Sequence, residues 1–289
     1  MADPLRIVTF NVLPQAYQLV ADWAEARGHR IVLLVTTPSA PDGRYGPTFR
    51  PLVNVVPPTQ DVLVTTRLRK TATPVVAALQ PDLIISATFP LRIPPSLVAI
   101  PRYGAVNLHP APLPRGRGPN PLRLVYEGDT SVSAALHRIE PGFDAGAILS
   151  LQTRQLSDDF TAEMLMPILG ELLFAALDEG VARAVAGEYG DVQDESLASY
   201  PGPFTDEDLV LRWDEPARTI QRRGAALNML GPIARGIIDG VAQIVVDVRA
   251  LPGKAPTAAP GTILAREGDI FIIRAADGAV QVRVGAEEA

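Results

Sequence analysis

Three side chains in the middle of the sequence supply an amide, an imidazole and a carboxylate. Asn107 and His109 stand two residues apart in GAVNLH (104–109), and Asp144 lies in PGFDAG (141–146). Residues two apart on a strand point to the same face, so Asn107 and His109 project together if this segment is extended. An amide N–H and an imidazolium can hydrogen-bond a developing oxyanion, while a carboxylate keeps the histidine protonated or relays protons. The trio therefore suits a reaction in which negative charge develops on oxygen.

Simple structural interpretations of these residues stay open. A histidine at a strand end is often packed or capped, and an aspartate before Ala-Gly is typical of a turn. The three histidines, His29, His109 and His137, are too widely spaced to predict a zinc site. The chain has no cysteine, which excludes disulfides and thiolate metal sites. No metal is therefore expected.

Several common catalytic motifs are missing. The segment TFNVLPQAY (9–17) contains no glycine, so the sequence does not predict a GxGxxG dinucleotide cradle after the first strand. The sequence also contains neither a Walker loop nor a GxSxG nucleophile elbow. These absences leave the trio as the strongest chemical signal.

The sequence before the trio predicts a parallel sheet with covering helices. Segments 5–10, 15–28 and 29–38 predict a strand, a helix and a second strand, and their continuous apolar runs favour a parallel sheet buried on both faces. DLIISATF (82–89) and GAVNLH predict two further strands. Ligands bind at the carboxyl ends of such strands, which is where Asn107 and His109 stand.

Composition shifts predict where the domains begin and end. Residues 1–187 alternate strand and helix patterns, although the five prolines of 39–60 predict a long irregular loop there. Residues 188–203 are polar and marked by proline and glycine, which predicts a linker. Residues 204–289 contain short strand patterns between turn signals and one helix pattern, which predicts a smaller β-barrel domain.

The overall composition is that of an ordinary soluble globular protein. Of 289 residues, 47% are hydrophobic and 20% charged, and the formal net charge of −6 predicts no general attraction to nucleic acid or anionic lipid. The start MADPLRIVTF lacks the pattern of a signal peptide, and no apolar run approaches the roughly 18 residues of a membrane span. We therefore expect a cytoplasmic protein without a membrane partner.

Two segments around the trio resemble a known family. GAVNLHPAPLPRGRGPNPL (104–122) and HRIEPGFDAGAIL (137–149) resemble the signature of 10-formyltetrahydrofolate-dependent formyltransferases. LRWDEPARTIQRRGAAL (211–227) resembles the start of the C-terminal domain of methionyl-tRNA formyltransferases. The resemblance implies an α/β fold: a Rossmann-like, mostly parallel N-terminal catalytic domain over 1–187 and an OB-like β-barrel over 204–289.

The resemblance also implies a reaction. A primary amine attacks the formyl group carried on N10 of 10-formyltetrahydrofolate, the expected co-substrate. By this resemblance Asn107 and His109 hydrogen-bond the oxyanion of the tetrahedral intermediate. Asp144 raises the proton affinity of His109 and assists proton transfer.

Binding residues follow from the same resemblance. The expected folate site lies between FPLRI (89–93) and EPGFD (140–144), and its residues are Phe89, Leu91, Arg92, Ile93, Glu140, Phe143 and Asp144. The expected acceptor site contains Phe10, Asn11, Arg115, Arg117 and His137. Either arginine could pair with an acceptor carboxylate or phosphate.

The sequence departs from the family pattern at three places. Ala111 occupies the position two residues after the histidine, where the family commonly has serine. TFNVLP (9–14) replaces a strand end that often carries glycine. The segment 37–51, comparable to the basic insertion of methionyl-tRNA formyltransferases, has only Arg44 and Arg50 as basic residues.

Charge favours a small acceptor over an RNA. Residues 203–289 contain 10 Lys and Arg against 12 Asp and Glu, whereas a tRNA-binding domain is expected to carry a basic stripe. We therefore expect an amino sugar, a nucleotide-linked sugar or an amino-acid-derived amine as acceptor. Initiator methionyl-tRNA is the alternative, because the domain order matches that of methionyl-tRNA formyltransferases.

A catalytically silent protein that binds folate or a partner is an alternative of another class. The sequence does not predict the oligomeric state.

Overall fold

The computed structural model describes residues 3–38, 49–251, 253 and 257–285. Its helices are α1 (Pro14–Ala26), α2 (Phe49–Val53), α3 (Thr73–Leu79), α4 (Pro95–Val98), α5 (Arg123–Glu127), α6 (Ala162–Val185) and α7 (Ala217–Asn228), with a π-helix at Leu68–Ala72 and a 3-10 helix at Glu195–Leu197. Its strands are β1 (Arg6–Asn11), β2 (Arg30–Thr36), β3 (Val62–Val64), β4 (Leu83–Ala87), β5 (Ala105–His109), β6 (Ser131–Arg138), β7 (Ile148–Gln155), β8 (Val210–Leu211), β9 (Arg235–Ile238), β10 (Val241–Leu251), β11 (Ile263–Glu267), β12 (Ile270–Arg274) and β13 (Ala279–Val284).

The chain forms two compact units that are interleaved in sequence. The first unit contains Met1–Pro119, Ser133–Thr153 and Gly170–Tyr200, and the second contains Asn120–Val132, Arg154–Leu169 and Pro201–Ala289. The predicted domain limits stay a prediction, but most of the predicted linker, up to Tyr200, belongs to the first unit. An antiparallel bridge between Ile148 and Asp191 ties this segment to β7.

The first unit contains the predicted, mostly parallel sheet. Among the described residues its strand order is β3-β2-β1-β4-β5-β6-β7, and neighbours from β3 to β5 run parallel, while β6 is antiparallel to β5. The apolar runs form the central strands: all five residues of β4 and the last five of β2 are buried. The apolar core on this sheet includes Val8, Phe10, Val35, Ile84 and Leu97. The predicted fold class is confirmed for this unit.

The register between β5 and β6 brings two predicted site residues together. Asn107 lies opposite His137, and His109 lies opposite Ala135. Because directly paired residues on neighbouring strands place their side chains on the same face of the sheet, Asn107, His109 and His137 project from one face. Asn107 and His109 end β5 at its carboxyl edge, where the sheet topology places a ligand.

The second unit contains the predicted small β domain. Its described strands are ordered β11-β12-β13-β10-β9-β8, and all described neighbours are antiparallel except β8 and β9. The helix α7 packs mainly on β10. A separate C-terminal sheet domain is confirmed, while its closure as an OB-like barrel stays a prediction. The sequence did not predict the short strand β9, because its segment contains glycine and shows no clear alternation of polar and apolar residues.

Two local predictions differ from the structure. The irregular loop predicted over 39–60 contains α2 (Phe49–Val53), while residues 39–48, including Arg44, lie outside the described part of the chain. The helix α6 is 24 residues long, yet among the described residues none of the helices is both long and apolar enough to cross a membrane.

Close backbone packing fixes the turn that carries Asp144. A Cβ atom added to Gly146 would overlap the carbonyl oxygen of Arg138, far inside van der Waals contact. Only glycine therefore allows the chain after Asp144 to return against the end of β6. Gly170, within α6, has nothing within 4 Å of an added Cβ.

We expect Gly146→Ala to destabilise the fold, since the overlap must be relieved by moving backbone, at a cost of about 1–3 kcal/mol or more. The matched variant Gly170→Ala should stabilise it by up to about 1 kcal/mol, because alanine is the better helix former. Thermal unfolding midpoints of both variants and the wild type measure this. A Gly146→Ala midpoint equal to that of the wild type would contradict the packing described here.

Candidate active site

Asn107 is the hub of a hydrogen-bonded cluster at the end of β5. Its Nδ2 lies 3.1 Å from Nε2 of His137 and 3.2 Å from Oδ1 of Asp144. His109 lies on the other side of Asp144, with Nδ1 3.8 Å from Oδ2. The structure therefore brings the three predicted catalytic side chains and His137 together within the first unit.

The hydrogen bonds of His137 define how its ring is protonated. Nδ1 lies 2.8 Å from the carbonyl oxygen of Arg138, which can only accept, so Nδ1 carries a proton. In the neutral ring Nε2 then accepts from Asn107. Nε2 also lies 3.4 Å from Oδ1 of Asp144.

His109 is held as a neutral ring. Its Nε2 donates to the carbonyl oxygen of Gly116 at 2.8 Å, and the residue is 6% exposed. Burial lowers the pKa of His109 and outweighs Asp144 and the Gly116 carbonyl, which raise it. Asp144, whose Oδ2 lies 3.8 Å from Nδ1, therefore raises the proton affinity of His109 less than burial lowers it, and its role in proton transfer stays a prediction. In this tautomer Nδ1 can accept a proton from a third group, since the Asp144 carboxylate has none to donate.

Asp144 is held as a carboxylate. Its Oδ2 accepts the backbone N–H of Gly118 at 2.8 Å, and its Oδ1 accepts from Asn107. Burial alone favours the neutral acid, but the hydrogen bond from His137, the two neighbouring imidazole rings and the Gly118 N–H together lower the pKa of Asp144 to about 2. The residue has a left-handed backbone, with φ of 50°, a conformation that aspartate tolerates better than most residues.

The two Arg-Gly steps of the loop supply backbone groups to the cluster. Gly116 and Gly118 have φ values of 77° and 92°, which glycine adopts without strain. This backbone directs the Gly116 carbonyl to His109 and the Gly118 N–H to Asp144. Ala111, at the family's serine position, is completely buried, and its N–H donates to the carbonyl oxygen of His109.

The segments predicted to hold the folate face each other. The Arg92 guanidinium carbon lies 4.8 Å from the ring centroid of Phe143, which is 53% exposed. An exposed aromatic ring and a cation beside the trio fit a flat, polar-edged pterin. Glu140 accepts a hydrogen bond from the Tyr189 hydroxyl at 2.6 Å.

Three residues on the same side of the sheet lie deeper than expected for ligand contact. Ile93 is buried in the core on the parallel sheet, and the half-buried Leu91 and Phe89 pack against that core. The ring of Phe89 meets that of Phe10 edge-on, with centroids 5.2 Å apart. The burial of Ile93 gives its predicted folate contact no support, and the roles of Ile93, Phe89 and Leu91 stay predictions.

Three of the residues predicted to contact the acceptor are buried. Phe10 and Asn11 are completely buried, and Asn11 accepts from the Thr9 hydroxyl and donates to the carbonyl oxygen of Ala87. Arg117 is 1% exposed, and its guanidinium is hydrogen-bonded to Gln193, Glu195 and Tyr200. Acceptor contact by these three side chains stays a prediction, and their burial gives it no support, because the sequence did not reveal how tightly the strand end and loop are covered. Arg115 is exposed and remains a candidate.

Comparison with known proteins identifies the chain. Residues 5–171 match the Formyl transferase family, and residues 203–288 match its C-terminal domain. The chain belongs to the formyl transferase family.

A methionyl-tRNA formyltransferase from Pseudomonas fluorescens strain Pf-5 is 31% identical over 97% of this chain and 88% of the relative. A second methionyl-tRNA formyltransferase, from Pseudomonas syringae pv. syringae, is 31% identical over 98% of this chain and 90% of the relative. The predicted enzyme class, a folate-dependent formyltransferase, is confirmed.

Solved structures support the fold of this formyltransferase. HypX from Aquifex aeolicus in complex with tetrahydrofolic acid superposes with a TM-score of 0.68 at 18% identity, over 97% of this chain and 44% of that one. An N-formyltransferase from Helicobacter canadensis, in complex with folinic acid and dTDP-3-aminofucose, superposes with a TM-score of 0.66 at 13% identity. The match covers 97% of this chain and 100% of that one. At such identities the agreement shows the fold alone.

We expect Asp144→Asn to lower the free energy of unfolding at pH 7 by about 2–3 kcal/mol, the value of a pKa lowered from 3.8 to about 2 on folding. Because the folded pKa is lowered, this contribution is present above the unfolded pKa and is lost as the pH falls toward 2. Urea unfolding of wild type and variant between pH 6 and pH 2.5 should show the gap closing with acid. The exposed Asp206→Asn is the control, and a pH-independent gap would contradict the buried carboxylate.

Proposed function

We propose that Asn107, His109 and Asp144 carry the transfer of the formyl group from 10-formyltetrahydrofolate to a primary amine. The observation that carries this proposal is their convergence at the carboxyl end of β5, inside the segment that matches the family. Folate-dependent formyl transfer belongs to the family. The residue roles and the acceptor are the proposal.

The chain's own residues can stabilise each charge that the reaction creates. As the amine nitrogen bonds to the formyl carbon, the formyl oxygen becomes an oxyanion, and Nδ2 of Asn107 donates a hydrogen bond to it. The amine proton moves to Nδ1 of His109, where Asp144 stabilises the imidazolium. The same proton then passes to N10 as the bond between N10 and the formyl carbon breaks.

We expect Asn107→Ala to lower kcat/KM about 100- to 1000-fold, which corresponds to the ~2.7–4 kcal/mol that one oxyanion donor contributes. Formation of the N-formyl product from labelled 10-formyltetrahydrofolate measures the rate. The exposed Asn54→Ala serves as the control for loss of an asparagine. Retention of wild-type kcat/KM in a folded Asn107→Ala protein would overturn the role proposed for the amide.

The acceptor that we propose is the amine of a small molecule: an amino sugar, a nucleotide-linked sugar or an amino-acid-derived amine. The supporting observation is the weak basic character of the second unit. Residues 203–289 carry more acidic than basic groups, and several arginines are ion-paired within the unit: Arg212 with Asp214, Arg218 with Asp158, Arg223 with Glu215 and Arg249 with Asp247. Such pairs leave less positive charge for phosphates.

Initiator methionyl-tRNA is the second candidate acceptor. It is favoured by the curated relatives, which are named methionyl-tRNA formyltransferases and match the chain at about 30% identity along nearly its whole length. The two candidates differ in size and charge, so kinetics can separate them.

An acceptor panel decides between these candidates. The protein is assayed with 10-formyltetrahydrofolate and methionyl-tRNA, deacylated tRNA, nucleotide-linked amino sugars or free amino compounds. We expect the highest kcat/KM with a small amine and little dependence on salt between about 50 and 200 mM, whereas a tRNA substrate loses affinity steeply over that range. Efficient, salt-sensitive formylation of methionyl-tRNA would establish the second candidate. Folate binding without any formyl product would point to a catalytically silent protein.

A further inference from the structure

Arg117 is a buried cation with all of its hydrogen-bond donors engaged. Nε and Nη2 donate to Oε1 of Gln193 at 3.1 and 2.8 Å. Nη1 and Nη2 donate to Glu195 at 2.9 and 2.7 Å, and Nη1 also donates to the Tyr200 hydroxyl at 3.1 Å. These contacts use all five N–H groups of the guanidinium, so none is left to bind a carboxylate or phosphate of an acceptor substrate.

Gln193 joins this cluster to the turn that carries Asp144. Its Nε2 donates to the carbonyl oxygen of Asp144 at 2.8 Å and to that of Gly146 at 2.7 Å. Because Arg117 occupies Oε1, the amide has one orientation, and both of its hydrogens must face these carbonyls. Gln193 is 6% exposed, so water cannot easily replace either bond.

The same segment also holds the loop on the other side of the trio. The N–H of Arg117 donates to the carbonyl oxygen of Ser199 at 2.9 Å, and the N–H of Gly116 donates to the Ser199 hydroxyl at 3.0 Å. Gly116 and Gly118, which flank Arg117, supply the backbone groups that bind His109 and Asp144. Residues 193–200 thus hold both loops that contact the histidine and the carboxylate.

We propose that Gln193, oriented by Arg117, is a positioning residue for Asp144 in formyl transfer. It fixes the carbonyls of Asp144 and of Gly146 in the turn, and so fixes where the carboxylate lies relative to Asn107 and His109. The inference rests on the proposed function, since it assigns Gln193 a role only through Asp144. The sequence pattern of residues 188–203 predicted a linker, and nothing in it indicated a contact with the catalytic turn.

The test compares two glutamines with the same hydrogen bonding. Gln221, in the second unit, is also buried, donates to the carbonyl oxygens of Asp158 and Phe160, and accepts from the N–H of Ala250. Gln193→Leu and Gln221→Leu therefore remove similar buried bonds at different places. We expect both to lower the unfolding midpoint, but only Gln193→Leu to lower kcat, by about 10- to 100-fold, with less effect on the KM for 10-formyltetrahydrofolate.

A double-mutant cycle separates positioning from general loss of structure. In the Asp144→Asn background, assayed at high enzyme concentration, Gln193→Leu should change kcat less than about 3-fold, because the group that it positions is already disabled. An equal fold-loss in both backgrounds, or equal kcat in Gln193→Leu and Gln221→Leu, overturns the positioning role. Unchanged kcat in Asp144→Asn alone overturns the proposed function itself. If Gln193→Leu does not fold, Gln193→Glu, which keeps an acceptor for Arg117, carries the same expectation.

Discussion

A buried carboxylate that must stay ionised is the constraint on which this site depends. Asp144 is mostly shielded from water, and an uncompensated charge there would cost far more than a domain's marginal stability allows. The structure compensates it with hydrogen bonds from Asn107 and the backbone N–H of Gly118 and with the nearby ring of His137. In the reaction proposed above, Asn107 also stabilises the oxyanion, so the stability of the buried charge and the geometry of the site depend on the same contacts.

Several elements of the first unit serve this arrangement. The antiparallel pairing of β5 with β6 sets Asn107 opposite His137. The close approach of Gly146 to Arg138 returns the chain after the turn, and the positive φ values of Gly116 and Gly118 direct backbone groups inward. Burial leaves His109 neutral beside an ionised Asp144. A neutral base next to a fixed anion is suited to receive a proton from an attacking amine, rather than to begin as a cation.

The sequence predicted the parts of this site that depend on local pattern. Alternation along GAVNLH placed Asn107 and His109 on one face, and continuous apolar runs indicated the parallel sheet. Features that depend on distant packing were missed. Phe10, Asn11 and Arg117 were assigned to the acceptor from their neighbourhood in sequence, yet tertiary packing buries all three. Gln193 lies about fifty residues from Asp144 in a polar stretch, and only the folded chain shows that it binds the Asp144 carbonyl.

The central claim is that Asn107, His109 and Asp144 surround the formyl group during transfer. Its most direct measurement is a crystal structure of the protein with 5-formyltetrahydrofolate, a stable isomer of the co-substrate, together with an amine. We expect the formyl group to lie beside the trio, with a polar atom of the ligand within about 3.5 Å of Nδ2 of Asn107, and the pterin to lie near Phe143 and Arg92. A folate bound elsewhere, with the trio unchanged and out of reach of the formyl group, would contradict it.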